Sequence, residues 1–184
     1  MKKVLLTSSG FETKVIEDAF LNLIKKAPQN AKVLFIPTAA IFPDAIAVLP
    51  KCINDLLKVN IQKHNIKVFD LHRALTRDEL SIYDAIYFTG GDPGYLIKRI
   101  NDTGFNTPLK NYINDVGVYV GVSAGSLVAT NNVPNNLGLL NCTLSVHKEH
   151  GNPTGVINET DSPHINLSAN TAILINDGVS QIIE

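Results

Sequence analysis

Gly117-Val118-Tyr119-Val120-Gly121-Val122-Ser123-Ala124-Gly125-Ser126-Leu127-Val128-Ala129 is the stretch on which the fold turns. Its first part, Gly117-Val118-Tyr119-Val120, is a β-branched and aromatic run of the kind that forms a buried strand. Its last part, Ser126-Leu127-Val128-Ala129, reads as the first turn of a helix. Between them lies a G-x-S-x-G pentapeptide, from Gly121 to Gly125. At a strand-to-helix junction this pattern predicts a nucleophile elbow. The glycines leave room for a tight, strained turn that lifts the Ser123 Oγ out at the carboxyl end of a sheet, beside a helix N-terminus. The plainer alternative is a glycine-lined turn carrying an ordinary serine, and the flanking strand and helix favour the elbow.

Strand and helix signals alternate toward the N-terminus. Val4-Leu5-Leu6 is strand-like, and residues 15–24 carry helical spacing through Val15, Ile16, Ala19, Phe20, Leu23 and Ile24, ending before Pro28. Residues 33–38 form a second strand, stopped by Pro37, and Pro43 opens a helix over residues 44–59. A third strand is predicted over residues 66–71 and a fourth over residues 85–89, followed at once by Gly90-Gly91-Asp92-Pro93-Gly94. Helical patterns at residues 95–100 and 109–115 lead to the strand before Ser123. Beyond the elbow, residues 131–140 hold four asparagines, a proline and a glycine, which predicts a loop. Residues 172–183 read as two strands around Asn176-Asp177-Gly178, a β-hairpin.

Apolar runs of four or five residues separated by helices predict parallel strands buried on both faces. The expected architecture is a single α/β domain over residues 1–184. It is doubly wound and mostly parallel, with helices on both faces and a C-terminal β-hairpin. At 184 residues the chain is long enough to bury a substantial core.

Sixteen basic against seventeen acidic side chains leave a net charge of -1, which supplies no field for nucleic acid or an anionic membrane. The absence of tryptophan and the lone methionine argue against a base-stacking platform or a Met-rich surface. Cys52 and Cys142 stand far apart with no C-x-x-C partner, as reduced thiols of a cytosolic protein do. After Lys2-Lys3 the apolar run stops at three residues, too short for a signal sequence or a membrane span. A cytoplasmic location is the expectation, and exposed edges of the sheet would be the route to a homodimer.

Ligands of open α/β sheets bind outside the carboxyl ends of the strands. Two loops have that address here, the elbow and the Gly90-Gly91-Asp92-Pro93-Gly94 turn. Glycines let main-chain N–H groups approach a ligand, and two such donors hold a developing oxyanion; Gly91 and Ala124, the residue after the serine, are the candidates. A serine nucleophile needs a base. Of five histidines, His64 and His72 lie around the third strand, where solvent-exposed roles are expected, while His147, His150 and His164 follow the serine. His147 ends the alternating stretch Cys142-Thr143-Leu144-Ser145-Val146, which places it at a strand exit, where a base belongs. His150 falls in Lys148-Glu149-His150-Gly151-Asn152, which reads as loop. His147, Glu149 and His150 resemble a zinc-binding set, but no matched third ligand follows and Gly151 opposes a helix, so no metal is expected. There is neither a P-loop nor a G-x-G-x-x-G fingerprint.

The order strand, Gly-Gly-Asp, two helices, strand, Gly-x-Ser-Ala-Gly-Ser and a downstream histidine resembles the S51 serine peptidases, the dipeptidase E (aspartyl dipeptidase) and cyanophycinase-like proteins. Phe35-Ile36-Pro37-Thr38-Ala39 and Tyr87-Phe88-Thr89-Gly90-Gly91-Asp92 carry the same resemblance, which covers nearly the whole chain. It implies a class I glutamine amidotransferase-like fold, with Ser123 as nucleophile, His147 as base and the N–H groups of Gly91 and Ala124 as oxyanion donors. It also implies a small peptide substrate and no metal or organic cofactor. Serine in place of cysteine at the elbow disfavours glutamine hydrolysis.

The chain departs from the family's pattern after the elbow. Only residues 124–146 separate the serine from the histidine, and Ala169 stands where an acid would align. The residue that orients the histidine is therefore open among Asn135, Asn136, Asp161 and Glu149, an asparagine stabilising an imidazolium less than a carboxylate does. Selectivity for an N-terminal aspartate is not carried over. The expected function is a serine peptidase acting on small peptides. The alternatives are a catalytically weak or inactive small-molecule-binding relative and, less in keeping with the early Gly-Gly loop, an esterase.

Overall fold

Val4, Leu6, Leu34, Ile36, Ile86, Phe88 and Tyr119 pack on one side of a sheet, while Leu5, Val33, Phe35, Tyr87, Val118 and Val120 pack on the other. Successive strand residues point to opposite faces, so apolar runs of this kind must be covered twice. The computed structural model describes residues 2–115 and 117–184; Met1 and Val116 fall outside it. The runs form β1 (Lys3–Thr7), β2 (Val33–Ile36), β3 (Ile66–Val68), β4 (Ala85–Phe88) and β5 (Val118–Val122). These five lie parallel in the order β3-β2-β4-β5-β1.

Two helices cover one face: α1 (Lys14–Ile24) and α2 (Pro43–Lys58). The opposite face receives α3 (Arg77–Ser81), α4 (Pro93–Asp102), α5 (Asn106–Asp115) and the short α6 (Ala124–Leu127). Thr13 caps α1 by accepting the Ile16 N–H, and the buried stripe of that helix is Ile16, Ala19, Phe20, Leu23 and Ile24. Val15, expected on that stripe, is turned to solvent. Pro50 lies inside α2 on its exposed side, where water can bond the Ile46 carbonyl that proline cannot serve. Each fully buried leucine, isoleucine or phenylalanine of this core contributes about 1.5–3 kcal/mol.

The rest of the chain adds β6 (Thr143–Lys148), β7 (Gly155–Val156), β8 (His164–Ser168), β9 (Ala172–Asn176) and β10 (Val179–Ile183). β9 pairs antiparallel with β1, β10 with β9, and β7 with β10, completing an eight-stranded sheet. The expected hairpin is β9–β10, and its turn carries positive φ at Asp177 and Gly178. β6 and β8 make a separate two-stranded parallel sheet, a pairing the sequence reading did not anticipate.

Two further differences have local causes. β3 was expected to run to residue 71 but ends at Val68. The Thr38 hydroxyl donates to Asp70 Oδ1 at 2.6 Å and accepts the Leu71 N–H at 3.0 Å, so a side chain takes over from the strand ladder. α3 was not anticipated, yet Thr76 and Glu79 form a reciprocal capping box at its start. Residues 131–140 form turns with no helix or strand, as expected of the loop. Among the described residues no helix is long and apolar enough to cross a membrane.

Candidate active site

The carboxyl ends of β1, β4 and β5 converge on one cavity of about 560 Å³. Ser8 and Ser9 enter it after β1, Thr89, Gly90 and Gly91 after β4, and Val122 and Ser123 at the end of β5. α2 supplies an opposite wall through Ala45, Val48, Leu49 and Cys52.

Ser123 occupies the turn between β5 and α6 with φ 49° and ψ -105°, a strained conformation for a residue with a side chain. The flanking glycines make that turn sterically feasible. A Cβ on Gly121 would lie 2.6 Å from the Gly125 carbonyl oxygen, and one on Gly125 would lie 2.7 Å from that of Phe88. The turn is fastened to β1. The Ser123 N–H donates to the Thr7 carbonyl at 3.0 Å, and the buried Ser126 hydroxyl lies within hydrogen-bond distance of the carbonyls of Thr7, at 2.7 Å, and Gly121, at 2.8 Å. From below, the Tyr119 hydroxyl donates to the Gly125 carbonyl at 2.6 Å. The predicted elbow is thus a fixed feature of the sheet edge.

The Gly90-Gly91 turn packs directly against it. A Cβ on Gly90 would stand 3.3 Å from Ser123 Cβ. Gly91 has φ +137°, and a Cβ there would overlap the Ala39 carbonyl oxygen at 1.9 Å, so only glycine is accommodated. Asp92 then donates its N–H to the same Ala39 carbonyl and caps α4 by accepting the Tyr95 N–H. Among the described residues neither the Gly91 nor the Ala124 N–H is engaged by another group of the chain.

His147 reaches the serine from β6. Ser145 pairs with Asn166 and Lys148 with Ser168, three steps along β6 against two along β8, so β6 bulges at His147, where φ is +56°. Bulges of this kind re-aim a side chain. His147 Nε2 lies 2.9 Å from Ser123 Oγ. Its main-chain N–H donates to Ser8 Oγ at 2.6 Å, and that oxygen stands 3.4 Å from Nδ1 of the same ring. Ser8 is fully buried, Ser123 half-buried and His147 exposed, so the pair opens to solvent from a fixed base.

The four residues anticipated as orienters of the histidine are engaged elsewhere. Asn135 is exposed, and its carbonyl accepts from Asn101. Asn136 donates to the Val133 carbonyl and accepts the Gly138 N–H within its own turn. Asp161 accepts from Asn158. Glu149 is exposed, 3.8 Å from His150. The group facing His147 Nδ1 is instead Ser8, which follows the first strand in Thr7-Ser8-Ser9-Gly10 and was not singled out as a candidate from the sequence.

A second hydroxyl–histidine set lies on the small sheet: His164 stands 2.9 Å from Thr143 Oγ1 and 3.0 Å from Ser145 Oγ. It has no elbow and does not line the cavity, and is a cross-strand contact between β6 and β8. Among the described residues no cluster of three or more histidine, cysteine, aspartate or glutamate side chains is disposed to hold a metal ion. Burial raises the pKa of Cys52 on the cavity wall, which keeps it a thiol.

Comparison with known proteins places this chain in a family. A curated relative, an uncharacterized peptidase of Pasteurella multocida (strain Pm70), is 26% identical over 133 residues, which cover 72% of this chain and 62% of that protein's length. A 1.5 Å crystal structure of a candidate peptidase E from Listeria monocytogenes EGD-e superposes with a TM-score of 0.73 at 21% identity, covering 100% of this chain and 98% of that one. A peptidase from an acI-B1 Actinobacterium superposes with a TM-score of 0.66 at 19% identity, covering 100% and 87%. These two likenesses establish the fold. The model of Peptidase family S51 matches residues 4–138, a span that holds both the Gly-Gly turn and the elbow and ends before His147. The chain belongs to peptidase family S51.

Proposed function

We propose that this protein is a serine-type peptidase that hydrolyses small peptides, with Ser123 as nucleophile and His147 as general base. The observation that carries this reading is the 2.9 Å approach of Ser123 Oγ to His147 Nε2, on a strained elbow at the floor of an open cavity. In the tautomer that carries its proton on Nδ1, the nitrogen 3.4 Å from Ser8 Oγ, Nε2 is bare and accepts the Ser123 proton.

Ser123 Oγ attacks the peptide carbonyl carbon as its proton passes to Nε2. The oxyanion that forms is held by the N–H groups of Gly91 and Ala124. His147 then gives the proton to the leaving nitrogen, the C–N bond breaks, and an acyl-serine remains. Water attacks that ester, His147 takes its proton, and Ser123 departs with the proton restored.

The test is covalent trapping with a fluorophosphonate followed by intact-mass and peptide mass spectrometry. Wild type gains one adduct, mapped to Ser123, and Ser123→Ala gains none. A folded wild-type protein that takes up no adduct overturns the mechanism.

One observation favours a second reading, a catalytically weak relative that binds a small amide-bearing ligand. A neutral hydroxyl at 3.4 Å, in place of a carboxylate, faces Nδ1. A triad carboxylate is worth about 10⁴ in turnover. Ligand retained without hydrolysis, with affinity unchanged by His147→Ala, distinguishes this reading from the first.

A further inference from the structure

Taking the cavity as a peptidase site, as proposed above, its charges select among peptides. Lys51 is the one lysine or arginine among the residues that line it. Its ammonium is a three-donor cation, and its own chain both bonds it and neutralises it. It donates to the Ser9 carbonyl at 2.6 Å and to Asp55 Oδ2 at 2.9 Å, and it forms a second ion pair with Glu12 Oε1 at 2.5 Å. Asp55 is itself buried and also accepts the Phe11 N–H at 3.0 Å, which holds the set in place. The one cation of the cavity is therefore spent on its own chain.

Glu12 and Asp44 line the same cavity, giving two carboxylates against one ammonium, with the Asp55 carboxylate bonded to that ammonium from behind. The rest of the wall toward α2 is apolar, formed by Ala45, Val48 and Leu49. An aspartate side chain entering this space meets like charges and a Lys51 ammonium already paired with two carboxylates, and loses hydration that nothing there fully replaces. A leucine or valine side chain gains apolar contact there, while the peptide's own ammonium is matched by Glu12 and Asp44.

We infer that the site selects peptides whose first side chain is apolar and uncharged, and rejects an N-terminal aspartate. Lys51, held by Glu12 and Asp55, is the specificity determinant.

Binding tests this apart from turnover. Leu-Ala and Asp-Ala are titrated by calorimetry into Ser123→Ala protein, and into Ser123→Gly, which relieves the strained φ should the alanine variant fold poorly. Leu-Ala binds tighter by about tenfold or more, as expected where a charge is refused a partner. Adding Glu12→Ala, which removes one carboxylate and one of the two ion pairs of Lys51, raises Asp-Ala affinity by about tenfold and leaves Leu-Ala no tighter. Asp-Ala binding as tightly as Leu-Ala overturns the inference, as does failure of Leu-Ala to bind at millimolar concentration. Leu-Ala that binds with this preference but is not cleaved by wild type leaves the selectivity standing and removes the peptidase reading.

Discussion

Ser8 Oγ accepts the main-chain N–H of His147 at 2.6 Å and stands 3.4 Å from Nδ1 of the same residue, so one buried hydroxyl after β1 faces both the backbone and the ring of the histidine. These residues are 139 positions apart in the chain. The strand that carries His147 belongs to the small sheet, and this contact joins it to the end of β1 beside the elbow.

Ser8→Ala removes that hold. The expected outcome is a fall in kcat of about 10- to 100-fold with KM little changed, short of the ~10⁴ commanded by a triad carboxylate. Ser8→Thr, which keeps a hydroxyl, restores most of the loss. Steady-state kinetics on one dipeptide decide it, and an unchanged kcat in Ser8→Ala removes Ser8 as a positioning residue.

Gly91→Ala forces a Cβ to within 1.9 Å of the Ala39 carbonyl oxygen at φ +137°. The turn must move, and the proposed oxyanion donor moves with it. Loss of one such donor costs about 10²- to 10³-fold in kcat, and a strained backbone position costs about 1–3 kcal/mol of stability. Turnover and urea denaturation read the two effects separately.

Ser126→Ala leaves the carbonyls of Thr7 and Gly121 without a shared hydroxyl in a fully buried place. The Thr7 carbonyl keeps the Ser123 N–H and the Gly121 carbonyl keeps the Thr7 hydroxyl, so the expected loss is about 0.5–1.5 kcal/mol in unfolding free energy. Turnover falls as well, because the elbow is no longer pinned to β1. Chemical denaturation with an unchanged midpoint contradicts this account of how the serine is held.

Burial acts to lower the Lys51 pKa, but hydrogen bonds to Glu12 and Asp55 outweigh it and raise the pKa above the ordinary lysine value of 10.5. A group whose folded pKa is raised contributes stability that is complete below its unfolded pKa and is lost as pH rises through the folded value. Wild type therefore loses a component of stability above pH 10.5 that Lys51→Met lacks. Melting temperatures of both proteins between pH 8 and pH 11, within roughly the range where lysines titrate, show the difference; parallel curves contradict it.

The elbow was legible because its constraints are local: Gly121 and Gly125 stand within a few residues of the serine whose strain they permit. The central strands were legible for a related reason, since burial on both faces leaves an unbroken apolar run. The position of His147 near the end of a strand was legible from the alternation before it, although the bulge that aims its ring was not, because a bulge is set by register against β8. Ser8 was illegible. A serine in a Thr-Ser-Ser-Gly turn has no signature until the fold brings a histidine to it. The small sheet was missed in part because parallel pairing of β6 with β8 joins segments whose intervening chain carries little regular structure. The capping box of α3 was present in Thr76-Arg77-Asp78-Glu79 and marks that helix without any tertiary contact.

In the proposed reaction Ser123, activated by His147, hydrolyses the peptide bond. Its most direct measurement is cleavage of a panel of dipeptides with apolar and acidic first residues, by wild type beside Ser123→Ala with matched circular dichroism. Hydrolysis by wild type, strongest for apolar first residues, and none above background by the variant is the expected result. Equal cleavage by a folded Ser123→Ala protein, or no cleavage of any peptide by wild type, would contradict it.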